Sequence, residues 1–140
     1  MERTRDDGYF VSDDQLRLDI ERIHRWLSEE CYWSLGRTFD QVERSMRNSI
    51  VVGCYASDGA QVGLARWVTD EATFAWLCDV FITDDHRGRG LGEFMVGAAM
   101  EHPTVDGLRI RLLATRDAHG LYQRFGFTET DPHRFMELRA

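Results

Sequence analysis

Arg87-Gly88-Arg89-Gly90-Leu91-Gly92 sets three glycines and two arginines between an apolar run and a helix-like pattern. Glycine carries no Cβ, so a ligand can come close to the backbone there. The N–H groups that open a helix lack carbonyl partners and favour negative charge. Such a loop is suited to an anion, and a phosphate is the natural one. Two other side chains could do chemistry. Asp79 is the lone carboxylate in the apolar run 73–82, and it could act as a base, anchor a substrate ammonium or cap nearby backbone. Tyr122 carries a phenol, whose ring could equally belong to the core with its tip hydrogen-bonded. His119, three residues before it, could relay a proton, although its surroundings suit a solvent-facing side chain. Cys78 has no histidine beside it in sequence and reads as a small hydrophobe rather than a nucleophile.

These groups need a scaffold. The run 73–82 is apolar on both faces apart from Asp79, as in a strand at the centre of a sheet. A helix from about Gly90 to His102, with Leu91, Met95 and Ala98 on one side, and a strand over 108–115 complete a strand-helix-strand unit. Its strands should be parallel, because a helical crossover returns the chain in the same direction. The glycine loop then lies at the carboxyl end of its strand and the amino end of its helix. Upstream, Tyr9 to Val11 is a short strand, and Ser12-Asp13-Asp14-Gln15 has the form of a capping box. That box predicts a helix running to about Glu30 with Leu16, Ile20, Ile23 and Leu27 on one face. An aromatic loop, Cys31-Tyr32-Trp33-Ser34-Leu35-Gly36, precedes a second helix over 40–47. A hairpin follows, 50–56 and 61–69 about Ser57-Asp58-Gly59. With no repeat, linker or low-complexity tract, residues 1–140 are expected to form one domain.

Composition narrows the classes of function. The chain has 24 acids against 17 Lys and Arg, a net charge of −7, which argues against a nucleic-acid surface, since phosphate neutralisation needs a basic face. No apolar stretch approaches the ~20 residues of a membrane span, so no membrane partner is expected. The start of the chain lacks the apolar segment of a secretory signal, and Cys31, Cys54 and Cys78 are odd in number. The expectation is a reducing cytoplasm. The five histidines are too scattered for a metal site, and no metal is expected.

Spacing then separates the phosphate-binding loops. A Walker loop requires G-x-x-x-x-G-K-[ST] and a dinucleotide fingerprint G-x-G-x-x-G, whereas Gly88, Gly90 and Gly92 run G-x-G-x-G. The hexapeptide resembles the Arg/Gln-x-x-Gly-x-Gly/Ala motif of the GNAT superfamily of acetyl-CoA-dependent N-acetyltransferases. A second segment, Asp117-Ala118-His119-Gly120-Leu121-Tyr122-Gln123-Arg124-Phe125-Gly126-Phe127, is similar to that family's short tyrosine helix ending in Gly-Phe. The resemblance departs at Thr83-Asp84-Asp85, where the family often has a proline, and at Asp117, where it often has an asparagine.

The resemblance extends over nearly the whole chain and implies an α/β fold. In it a mixed, mostly antiparallel sheet has a splayed central parallel strand pair, is flanked by about four helices, and is closed by a hairpin near Phe127 and Phe135 to Leu138. It further implies that backbone N–H groups of Arg87, Gly88, Arg89, Gly90, Leu91 and Gly92 hold the pyrophosphate of acetyl-CoA, with an arginine near a phosphate. Main-chain groups of Phe81 and Ile82 would pair with pantetheine, Tyr122 would be the acid, and Tyr32 and Trp33 would face the acceptor. An aromatic wall beside Asp79 suits a cation. The implied reaction moves an acetyl group to a primary amine, of a small molecule or else of a protein or peptide. A CoA-binding sensor without turnover is the other class, and a homodimer is left open.

Overall fold

The structure, a computed structural model, describes residues 1–140. Six strands form one sheet in chain order: β1 (Glu2–Thr4), β2 (Phe10–Ser12), β3 (Ile50–Tyr55), β4 (Gln61–Thr69), β5 (Phe74–Ile82) and β6 (Ile110–Leu113). Every neighbouring pair is antiparallel except β5 and β6, which are parallel, as the helical crossover requires. The helices are α1 (Ile20–Arg25), prolonged by a π-helical turn over Trp26–Glu30, then α2 (Phe39–Arg47), α3 (Leu91–Met100) and α4 (His119–Gln123). No helix is long and apolar enough to cross a membrane.

Each face of the sheet has its own core. Leu91, Met95, Val96, Ala98 and Ala99 of α3 pack on one face with Val52, Trp67 and Leu77. Ile23, Trp26, Leu27, Val42 and Met46 of α1, its π-turn and α2 pack on the other with Val51, Leu64 and Phe81. Trp67 is a core residue, its indole N–H donating to the Ala99 carbonyl at 2.9 Å.

Three expectations from the sequence change. The first helix starts at Ile20, not after Ser12. Ser12 Oγ accepts from the Asp14 amide at 3.2 Å, Gln15 donates its carboxamide to the Met46 and Ser49 carbonyls at 3.1 Å each, and Asp19 caps α1 through the Arg22 amide. Leu16 is left 94% exposed. A capping box does occur, at Thr38 and Gln41 before α2. The closing hairpin does not form: no strand follows β6, and residues 131–140 are all exposed. An extra strand, β1, pairs on the outside of β2; its exposed Glu-Arg-Thr carries no apolar alternation from which to read it.

Candidate active site

The site is built on an irregularity of β5. Arg66 pairs with Cys78 and Leu64 with Phe81, so Asp79 and Val80 together face Ala65. This is a β-bulge. Asp79 takes a left-handed φ of 51°, a conformation that short polar side chains tolerate better than others. The extra residue reverses the facing of the strand. Ala75, Leu77 and Ile82 belong to the α3 core, whereas Phe81 belongs to the opposite one. Two residues an even number apart, Leu77 and Phe81, would share a face in a regular strand.

The bulge also parts the parallel pair. Pairing of β5 with β6 ends at Leu77 and Leu113, while β5 continues to Ile82. Beyond Leu77 the β6-facing edge of β5 has no strand partner. A cavity of about 550 Å³ opens there, bordered by Phe81 and Ile82, by Gly88, Gly90 and Gly92, by Tyr32 and Trp33, and by Arg116 and Tyr122. Arg87 and Leu91 border it as well, Arg89 and Asp79 do not.

At one end of this cavity lies the glycine loop. Gly88 and Gly90 have φ of 75° and 73°, values open to glycine and strained for most other residues. Gly90 ends the loop as the N-cap of α3 without a side-chain cap. No backbone N–H from Gly88 to Glu93 has a partner within the chain. The Arg87 amide, expected among them, is engaged by the Asp84 carbonyl at 3.2 Å. A Cβ at Gly88 or Gly92 would meet nothing within 4 Å, and one at Gly90 only Arg5 Nη1 at 3.8 Å. The loop is thus a cradle of free amides over open space, which fits a pyrophosphate. Arg87 folds back, donating Nε–H to the Ile82 carbonyl at 2.8 Å and pairing with Asp84. Arg89 is exposed and unpaired; its carbonyl accepts from Arg5 Nη1 at 2.9 Å, which braces the loop on the N-terminal hairpin.

At the other end stands Tyr122. It is 8% exposed, yet its hydroxyl makes no hydrogen bond within the chain and opens on the cavity. Burial pushes its pKa up to about 12, with smaller contributions from Tyr32 and Asp117, so it stays a protonated phenol across the physiological range. His119 is exposed.

Asp79 lies on the far side of the β5 ladder from α3, its side chain fully buried. It accepts from Trp33 Nε1 at 2.8 Å, Arg37 Nη1 at 2.9 Å and Arg66 Nε at 2.8 Å. Burial alone would raise its pKa; the charges of Arg66 and Arg37, then hydrogen bonds from Arg66 and Trp33, outweigh it and hold the carboxyl below its usual value. Of the roles open to Asp79, this geometry favours tying the 31–37 loop to the bulge over taking a proton. Trp33 stacks edge-on against Tyr32, and the Arg116 guanidinium lies 3.8 Å from the centre of the Tyr32 ring. The cluster therefore reaches from the bulge to the loop before α4. Arg37, Arg66 and Arg116 went unnoticed in the sequence. Arg66 had a signal, as the single charge in the apolar strand Val62 to Val68, where a buried guanidinium demands a buried partner. Burial pushes the Cys78 thiol up to about 11, in keeping with an inert side chain.

A splayed parallel pair, a bulge and a loop of free amides make up the site, and the comparisons name its class. A family model described as an acetyltransferase (GNAT) domain matches residues 48–129. The chain belongs to the GNAT acetyltransferase family and is an acyltransferase. A crystal structure from Xanthomonas campestris pv. campestris, assigned to the same family, is 44% identical, with a TM-score of 0.90 over 94% of this chain and 93% of that one. A Gibberella zeae protein, named an acetyltransferase by inference, is 30% identical over 86% of this chain and 80% of its own length. AAC(6′)-Iy, solved with the bisubstrate analogue CoA-S-monomethyl-acetylneamine, shares the fold at 18% identity, with a TM-score of 0.64 over 94% of this chain and 99% of that one.

Proposed function

We propose that the enzyme moves an acetyl group from acetyl-CoA to the primary amine of a small molecule, with both substrates bound at once. One observation carries this reading: a single cavity is bordered by Gly88, Gly90, Leu91 and Gly92, whose amides are free, by Phe81 and Ile82 of the parted strand, and by Tyr122, whose hydroxyl has no partner in the chain. Bound acetyl-CoA would supply an activated carbonyl. The amides would hold its pyrophosphate, assisted by the free Arg89 guanidinium, and the open edge of β5 at Phe81 and Ile82 would align the pantetheine. Tyr122 would donate its proton to the departing thiolate. The amine would lie against Tyr32 and Trp33 and lose its proton to water in the open cleft, while Asp79 keeps that wall in place. The known complex of AAC(6′)-Iy with a CoA-linked bisubstrate analogue is in keeping with a donor and acceptor meeting in one cleft.

The test is thiol release from acetyl-CoA across a panel of small amines and short peptides. Release with small amines is expected; release with peptides alone would move the acceptor to a protein amine, and binding without release would leave a CoA-binding module. Gly90→Val provides the control. A branched side chain is strained at φ 73° and would fill the cradle, so acetyl-CoA binding should fall beyond calorimetric detection in a variant whose circular dichroism is unchanged. Undiminished affinity would place the donor elsewhere.

A further inference from the structure

The glycine loop opens α3, but side chains packed beside it come from the start of the chain. Residues 5–9 join β1 to β2, with the Arg5 amide donating to the Tyr9 carbonyl at 2.7 Å, and this turn meets the loop at two points. At the first, the Arg5 guanidinium lies 6.0 Å from the centre of the Tyr9 ring and 5.6 Å from that of Phe94 on α3. It donates from Nη1 to the Arg89 carbonyl at 2.9 Å and from Nη2 to the Asp7 carboxylate at 2.8 Å. Each Nη carries two hydrogens, so one on Nη1 is unused. That nitrogen stands 3.8 Å from the place a Cβ on Gly90 would occupy, beside the cradle. At the second point the Tyr9 hydroxyl meets His86 Nδ1 at 2.8 Å, the two rings edge-on. His86 borders the same cavity as Gly88 and Gly90, and its Nε2 has no partner in the chain. With Tyr9 donating to Nδ1, the proton of the neutral ring sits on Nε2 and leaves an N–H for an anion.

We propose that Arg5 and His86 are donor-binding residues, each giving an N–H to a phosphate of acetyl-CoA, so that the turn between β1 and β2 forms a wall of the donor site. The inference rests on the reading of the glycine loop as a pyrophosphate cradle and assigns the charge that the loop itself lacks. Of the loop's own arginines, Arg87 is engaged with the Ile82 carbonyl and Asp84, and Arg89 is exposed with nothing to hold its side chain. Arg5 is held on both sides, by the Arg89 carbonyl and by Asp7, and flanked by two rings. A guanidinium fixed before the ligand arrives loses little side-chain freedom when it binds. Tyr9 does for His86 what Asp7 does for Arg5. It touches no phosphate and acts as a positioning residue, setting which imidazole nitrogen carries the proton.

The test is calorimetry of CoA on the full chain at low and high salt. Arg5→Met keeps the aliphatic stem against Phe94 and should weaken CoA about 10-fold. It should also flatten the dependence of affinity on ionic strength, because a cation in contact with a phosphate is screened by salt and a mere brace of the loop is not. His86→Leu, which leaves the Arg5 contacts intact, should weaken CoA about 3- to 10-fold, and His86→Gln, with an N–H of its own, should recover most of the loss. Tyr9→Phe should weaken CoA about 2- to 3-fold in the parent and not at all once His86 is leucine, since it acts only through that ring. Weaker binding by Arg5→Met with an unchanged salt dependence would make Arg5 a brace and overturn its role. If Arg5→Met and His86→Leu bind CoA like the parent while Gly90→Val does not, the cradle stands and this inference falls. If Gly90→Val binds like the parent as well, the reading of the loop falls and this inference with it.

Discussion

Asp79 and Tyr122 are both buried residues, and their polar atoms are treated in opposite ways. Asp79 has three donors within 2.9 Å, two of them cations. Tyr122 has no partner in the chain. A buried charge must be fully compensated to persist, and once it is compensated it has no capacity left for substrate. The Tyr122 hydroxyl opens on the cavity instead, where a ligand can reach it. Saturation therefore favours a framework role for Asp79, and an accessible, unpartnered hydroxyl leaves Tyr122 able to take the role proposed for it.

The contrast is tested most strongly by Tyr122→Phe, which keeps the ring against Phe127 and removes only the proton. Turnover with a reactive amine should fall roughly 10²- to 10⁴-fold, with acetyl-CoA affinity and melting temperature little changed. A variant as fast as the parent in a single turnover would hand the proton to solvent. Asp79→Asn should do the reverse. Leaving Arg66 and Arg37 beside a neutral amide should cost about 3 kcal/mol in urea denaturation at pH 7 and raise the KM for the amine more than it lowers kcat. The folded carboxyl lies below the unfolded value of about 3.9, so its stabilisation is present above about pH 4 and is lost as pH falls through the folded value. The parent and Asp79→Asn should thus begin to converge in stability as the pH falls below about 4 and meet only below the folded value. A gap that persists there would deny that charge is its source, and an acid limb of kcat/KM displaced by the substitution would make Asp79 a base after all. The smallest effect is expected from Arg116→Ala. The guanidinium over Tyr32 is exposed, and an exposed cation–π contact contributes about 0.5–1 kcal/mol, so the amine KM should rise by about 2- to 5-fold. A much larger loss would mean that Arg116 binds the acceptor itself.

The parts legible in the sequence are those set by neighbours along the chain. The glycine loop, β5 before it and α3 after it come from one continuous stretch, and the hairpin of β3 and β4 turns on a short polar loop. Tyr122 on its helix was legible by resemblance. What escaped depends on contacts distant in sequence. Nothing local reveals that Asp79 sits at a bulge, because the alternation of 73–82 is blurred by apolar residues on both faces. Nothing local tells that Gln15 prefers the carbonyls of Met46 and Ser49 to its own capping box. Nor could Arg37 and Arg66 be joined to Asp79 without the register that brings β4 beside β5.

The bulge in β5 also alters how the gain or loss of a residue would be felt. Were Val80 deleted, the strand could pair straight through: Phe81 would still meet Leu64, Ile82 would still meet Gly63, and both would keep their faces. Only Asp79 would turn, from the loop carrying Trp33 towards the α3 core. A one-residue deletion at this point would leave the hydrophobic arrangement intact and strand a carboxylate among apolar side chains. Selection on chain length here acts on the orientation of one acid, and relatives lacking the extra residue would be expected to lack the acid and its two arginines with it.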